Sequence, residues 1–240
     1  MKKKIKVLQV IPRLGYGGAE TGCYDLAHFL PERGIKSFLV TSGGELLKFV
    51  DKKKVKIFKL PVQSKNPALI LFNTIVIFFI ILIYNINIVH ARSRAPAWSC
   101  FLATKFSFRK FVTTFHGTYN FSNRIKKFYN SIMVRSDLVI AGSNFIFSHI
   151  NDNYGNFFLE NRRKLLVIFR GINTNYFNPQ KILPIKLDKF CKQNNIDRNK
   201  FIILLPGRLT YWKGQKIFIE AIKLLSEKND IPPFESIILG

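Results

Sequence analysis

The residues best suited to chemistry stand at two kinds of position, a glycine-rich turn near the amino terminus and histidines at the ends of expected strands. The turn is Gly15-Tyr16-Gly17-Gly18-Ala19-Glu20, between a β-branched run, Ile5–Ile11, and a helical pattern from Ala19 to Leu30. Glycines let a backbone come close to a ligand, and a helix starting there offers free amides and its positive dipole end to an anion. A purely structural tight turn would use the same glycines. The turn is not a Walker loop, because no G-K-[ST] closes it. Nor is it the dinucleotide G-x-G-x-x-G, because Glu20 stands where the third glycine would be.

Of the four histidines, His116 ends an expected strand just before Gly117, where doubly wound folds place ligands. A satisfied core or loop histidine is the competing reading there, and the two readings are even for His90. His28 and His149 lie within expected helices and read as structural. The cysteines, Cys23, Cys100 and Cys191, are too far apart for a C-x-x-C pair or a cluster with the histidines. This argues against a zinc site or a disulfide framework and fits a reducing cytoplasm. No D-x-D, G-x-S-x-G or H-E-x-x-H sequence occurs, so a carboxylate-held metal and the common hydrolase signatures are not expected.

Alternating patterns must position these residues. Strands are expected at Ile5–Ile11, Ser37–Thr41, Val55–Leu60, Ile88–Ala91, Phe111–Phe115, Leu138–Ala141 and Leu165–Phe169, with helices between them, among them one near Leu46–Val50, Ala97–Phe106 and Asn144–Asn151. Such alternation predicts an α/β fold with a doubly wound parallel sheet. The pattern weakens after Gly171 and resumes with a strand, Phe201–Leu205, a helix, Gly214–Ser226, and a short strand, Ser236–Leu239. The expected organisation is a first domain over 1–178, a linker over 179–200 and the start of a second domain over 201–240. Ala68–Tyr84 is ambiguous: its 17 residues would span about 26 Å as a helix, against a hydrocarbon core of roughly 30 Å. It reads as a crossover helix buried against the sheet, as one that also dips into a membrane surface, or as a tight transmembrane span.

The formal net charge is +24, from 38 basic and 14 acidic residues. A field of that size attracts nucleic acid, anionic lipid or phosphorylated substrates, and part of it fits the codon bias of an AT-rich genome. Nucleic acid is not expected, because no recognition helix, zinc knuckle or interleaved aromatic and basic strand motif accompanies the charge. The opening MKKKIKVLQVI is basic, but its apolar stretch is short, and it reads as a first strand rather than a signal peptide.

Gly17-Gly18-Ala19-Glu20 directly after a first strand resembles the amino-terminal loop of family 4 glycosyltransferases of the GT-B fold, which pairs two Rossmann-like domains. His90-Ala91-Arg92-Ser93-Arg94, Thr114-Phe115-His116-Gly117-Thr118, Ala141-Gly142-Ser143 and Gly171-Ile172-Asn173 with Phe177-Asn178-Pro179 follow in the same order. Gly207-Arg208-Leu209-Thr210-Tyr211-Trp212-Lys213-Gly214 is similar to the family's G-R-L-x-x-x-K-G segment. The resemblance implies that Arg208 and Lys213 hold a nucleotide-sugar diphosphate, which suits a planar fork and a mobile point charge. Two solvated basic residues on a turn are the alternative. By the same resemblance His116 contacts the transferred sugar as the catalytic position, and Gly17, Gly18, Glu20, Arg92, Gly117, Ser143 and Asn173 line the substrate site.

The resemblance further implies a retaining hexosyl transfer from a nucleotide diphosphate sugar to a cell-envelope glycan or lipid-linked acceptor. Neither a cofactor beyond that co-substrate nor a metal is implied. The setting would be cytoplasmic, with a peripheral place on the inner face of the membrane. The family's pair of glutamates eight positions apart has no counterpart here, since Glu220 and Glu227 are seven apart. The expectation is therefore a truncated donor domain that does not turn over alone; a remnant or an acceptor-binding subunit of a split enzyme is the alternative.

Overall fold

The computed structural model describes residues 4–119, 123–161 and 164–240. The chain forms two compact units, Met1–Gly171 and Ile172–Gly240. The first is a seven-stranded sheet built from β1 (Lys6–Val10), β2 (Lys36–Thr41), β3 (Val55–Lys59), β4 (Ile88–Ala91), β5 (Lys110–Phe115), β6 (Leu138–Ala141) and β7 (Lys164–Val167). Every pairing is parallel, in the order β3-β2-β1-β4-β5-β6-β7. The central strands bury apolar residues such as Leu8, Val10, Val89, Ala91, Phe111 and Phe115, as parallel strands covered on both faces do, with Gln9, His90, Thr113 and Thr114 as buried polar exceptions. The order reverses direction between β1 and β4, where Val10 stands beside Val40 on one side and Ala91 on the other. A crevice at the carboxyl ends of the strands opens at such a switch point.

Helices α1 (Gly18–Glu32), α2 (Pro67–Tyr84), α3 (Arg94–Ser107), α4 (Arg124–Ser131) and α5 (Asn144–Asn161) connect the strands. Local signals bound α2. Asn66 Oδ1 accepts from the Ala68 amide at 2.9 Å, Pro67 takes the first turn, and Asn85 closes the helix in the left-handed region at φ 51°. Its buried residues, Asn73, Thr74, Ile77, Ile80 and Ile81, form one stripe. Asn73 and Thr74, which interrupt the apolar run, face inward: Asn73 Nδ2 donates to the Pro61 carbonyl at 3.1 Å, and Thr74 Oγ1 to that of Ile70 at 2.8 Å. Ile77, Ile80 and Ile81 join the main core with Leu8, Val89 and Phe115. The segment is thus a crossover helix with one stripe in the core. A smaller core, with Leu14, Cys23, Ala27 and Leu39, lies among α1 and the first strands.

The second unit pairs β8 (Phe201–Pro206) in parallel with β9 (Phe234–Leu239) and carries helices α6 (Pro184–Gln193) and α7 (Gln215–Ser226). Among its described hydrophobic residues only Cys191 is buried.

Three elements differ from the expectations. α5 runs on to Asn161 because Ile146, Ile150, Tyr154 and Phe158, four residues apart, form one buried stripe. The turn-like Asn151-Asp152-Asn153-Tyr154-Gly155 is carried within the helix. The helix expected near Leu46–Val50 is a 3₁₀ turn, Glu45–Phe49. The division between units falls after Gly171, so 172–178 belongs with the second unit, and the stretch 179–200 holds α6 rather than a plain linker.

Candidate functional site

The glycine-rich turn leaves the carboxyl end of β1 and enters α1 through Gly17, whose extended backbone (φ 174°) provides no side-chain cap. The first amides of α1 are thus open to an anion, beside a carboxylate from the same turn. A Cβ added to Gly17 would lie 2.4 Å from Glu20 Oε2, so Glu20 curls back over the glycine.

Arg92 follows β4 directly across the crevice. Its amide still pairs with the Val10 carbonyl at 3.0 Å, and its Nε donates to Gln9 Oε1 at 2.9 Å. Gln9 Nε2 in turn donates to the Cys23 carbonyl on α1 at 3.2 Å. This buried relay, Arg92 to Gln9 to Cys23, locks a guanidinium that is only 7% exposed beneath the start of α1. Burial pushes the Arg92 pKa below its usual value; Cys23 opposes that, and Arg170 adds to it. Among the described residues no carboxylate forms an ion pair with Arg92. A buried cation without a paired anion makes the crevice attractive to a negatively charged ligand.

His116 follows the last residue of β5. Arg170, just beyond β7, donates from Nη2 to His116 Nδ1 at 2.8 Å. Because a guanidinium can only donate, Nδ1 accepts and the proton of the neutral ring lies on Nε2. His116 Nε2 is buried and has no hydrogen-bond partner among the described residues. Burial first, then Arg92 and Arg170, lower its pKa from 6.5 to about 3. The ring is therefore neutral near pH 7 and is a hydrogen-bond donor at Nε2, with no lone pair left for a base. Arg170 also reaches the glycine turn, since a Cβ on Gly18 would meet its Nη1 at 2.4 Å. One guanidinium thus ties the start of α1 to the end of β5.

The other candidates separate. His90 is buried with Nε2 2.7 Å from Thr114 Oγ1, and burial holds its pKa well below 6.5. His28 is satisfied within the fold: its Nδ1 lies 2.9 Å from the Tyr24 carbonyl, and its Nε2 accepts from the Asp51 amide at 3.1 Å. His149 Nε2 accepts from the Tyr119 amide at 3.2 Å. Ser143 Oγ accepts from the Ile146 amide at 3.2 Å, which makes it the cap of α5. Gly117 follows His116 with open space where a Cβ would stand. Asn173 lies in the second unit, where Oδ1 accepts from the amides of Asn175 and Tyr176, both at 3.1 Å.

Arg208 and Lys213 also belong to the second unit, at the carboxyl end of β8, and both are exposed. The Lys213 stem packs 3.7 Å from where a Cβ on Gly207 would be. Gln215 Nε2 holds the Arg208 carbonyl at 2.9 Å. Helix α7 then begins from Gly214, which takes φ 79° and gives no side-chain cap. Two cations and uncapped amides therefore share one turn, a second anion-suited arrangement.

Sequence reasoning missed Gln9 and Arg170. Gln9 carried a signal as a polar residue inside a β-branched run; Arg170 carried none beyond its place before Gly171.

A model of Glycosyltransferase Family 4 matches residues 16–176. A crystal structure of a glycosyltransferase from Rickettsia africae is similar at 42% identity and a TM-score of 0.82, covering 99% of this chain and 60% of that one. HepE of Anabaena, in a structure with UDP and glucose, is similar in fold at 20% identity and a TM-score of 0.72, covering 98% and 60%. Sucrose-phosphate synthase of Thermosynechococcus elongatus is similar in fold at 14% identity, with a TM-score of 0.72 and coverage of 99% and 62%. No curated protein sequence matches. The chain thus spans about 60% of the length of these solved structures.

Proposed function

We propose, because the chain belongs to Glycosyltransferase Family 4, that it takes part in transferring a hexose from a nucleotide diphosphate sugar to a cell-envelope glycan or lipid-linked acceptor. The reading includes retention at the anomeric carbon and a cytoplasmic setting at the inner face of the membrane. The observation that carries it is the contact of Arg170 with His116 at 2.8 Å, which holds a neutral Nε2 donor in a crevice made cationic by Arg92. HepE, similar in fold, was solved with UDP-glucose, which supports a nucleotide-sugar donor here.

In this reading the acceptor hydroxyl oxygen forms the new bond to the anomeric carbon while the bond from that carbon to the diphosphate oxygen breaks. His116 is neutral with its proton on Nε2, so it donates a hydrogen bond to a sugar oxygen and takes no proton. The acceptor proton passes instead to the departing diphosphate, which retention keeps on the same face of the ring. Gly17, Gly18 and Glu20 with Arg92 and Gly117 contact the substrate in the first unit. Asn173 and Ser143 contribute through the turn and the helix start they hold. Arg208 and Lys213 neutralise the diphosphate without a metal, as charge-assisted donors do for a leaving group.

The test is calorimetric titration with UDP-hexoses, followed by transfer of labelled hexose to membrane and glycan fractions. The expected result is saturable binding unaffected by EDTA and weakened on the order of tenfold or more by Arg208→Ala or Lys213→Ala. Binding of no nucleotide diphosphate sugar, or binding indifferent to both substitutions, would sink the reading.

A further inference from the structure

The outward stripe of α2 is apolar and open. Leu71, Phe72, Ile75, Phe79, Leu82 and Ile83 are 47–72% exposed and follow one another along a single helical face. The opposite stripe is in the core, so the outward stripe is the face of this helix open to lipid. Cations stand at both of its ends. Lys65 precedes the cap at Asn66. At the far end Lys6 Nζ donates to the Tyr84 carbonyl at 2.7 Å, Arg109 Nη2 donates to Asn85 Oδ1 at 2.9 Å, and Lys56 Nζ sits 4.3 Å from the centre of the Tyr84 ring.

Lys56 also lines a cleft of about 610 Å³ with Lys48, Lys52 and Lys59, along the free edge of the sheet at β3. Lysines on an edge strand deter pairing with another chain, which accounts for some of this charge. They do not account for its extent. From Lys52 to Ser136 there are fifteen Lys and Arg residues and no Asp or Glu, and this stretch supplies all of α2, α3 and α4.

We infer that α2 docks this chain flat on an anionic lipid bilayer, its outward stripe at the acyl boundary and the lysines of the β3 edge on headgroup phosphates. This rests on the reading that transfer serves an acceptor at the membrane face. An apolar stripe bordered by cations matches a helix lying in the interface, where burial of apolar area and attraction to anionic lipid act together. A second copy of the chain fits less well, because joining two such stripes would press two acid-free cationic borders together.

The experiment is flotation of the 240-residue chain with phosphatidylcholine vesicles, alone or containing phosphatidylglycerol, at low and high salt and with no donor or acceptor. Its failure therefore leaves the transferase reading standing, and the failure of that reading leaves this one. The chain should float with the anionic vesicles and be released by salt. Lys52→Gln/Lys56→Gln/Lys59→Gln should lower that affinity on the order of a hundredfold. Phe72→Ser/Phe79→Ser, with its folding checked by its melting curve, should abolish the residual binding at high salt. Equal binding to both vesicle types, unmoved by either variant, would overturn the inference. So would concentration-dependent self-association lost in the Phe72→Ser/Phe79→Ser variant, without vesicle binding, which would make the stripe an interface between copies.

Discussion

Arg170 Nη2 donates to His116 Nδ1 at 2.8 Å across 54 residues of sequence, and the same guanidinium lies against Gly18 at the start of α1. Removing it should therefore act on both walls of the crevice. Arg170→Ala is expected to weaken nucleotide-sugar binding by about tenfold or more, the loss of one charge-assisted contact. Arg170→Lys should restore only part of that, because an ammonium keeps the charge but not the fork that reaches both sites. Titration calorimetry on the three forms checks this; equal affinities would mean that Arg170 serves packing alone.

Gly18→Ala tests the same geometry from the other side. A Cβ there would stand 2.4 Å from Arg170 Nη1, and the flexible side chain must swing away. Stability should change by less than about 1 kcal/mol, because the position opens a helix at the surface. Donor affinity should fall nearly as far as in Arg170→Ala. Urea unfolding and calorimetry on one preparation separate the two effects.

How much of this was legible before the structure varies by residue. The β1, glycine-turn and α1 unit could be read because Ile5–Ile11 and Gly15–Gly18 announce a strand and a turn by composition alone. The apolar run Ala68–Tyr84 matches α2 to within a residue, because Asn66-Pro67 and Asn85 start and stop the helix at its edges. The Arg170 contact was not legible, since a lone arginine before a glycine has no spacing that points to a histidine on another strand. His90 and His116 look alike in sequence, each near the end of a strand. Register parts them: His90 sits inside β4 beside Gln9 and Val112, whereas His116 lies just past β5. α5 runs past its expected end at Asn151 because tertiary burial of Tyr154 and Phe158 overrides the turn preference of Asn151-Asp152-Asn153-Tyr154-Gly155.

Gln9 is polar at the centre of the sheet because it holds Arg92. Gln9→Leu keeps the size of the side chain but leaves the buried Nε of Arg92 without its acceptor. The expected cost is about 1–3 kcal/mol of stability, with a further loss of donor affinity as Arg92 is freed. Urea denaturation measures the first part. A variant as stable as the parent would show that water replaces Gln9 at no cost.

Stability should fall as the solution is acidified below neutrality. The folded pKa of His116 is lowered to about 3 and that of His90 well below 6.5, while in the unfolded chain both titrate near 6.5. Between those limits the unfolded state binds more protons, so stability rises with pH across the window and is lost as pH falls through about 6.5 towards 3. His116→Asn should make the dependence shallower between about pH 4 and 7, as urea midpoints would show. A slope identical to the parent's would mean that His116 titrates normally when folded.

The most direct measurement is nitrogen-15 NMR of the His116 ring in the 240-residue chain, with and without a UDP-hexose. The account predicts a neutral ring protonated at Nε2, unchanged as the pH is lowered from about 7 to about 4.5, and an Nε2 resonance that shifts when the nucleotide sugar is added. A ring that titrates near its ordinary value, or one indifferent to every nucleotide sugar, would contradict it.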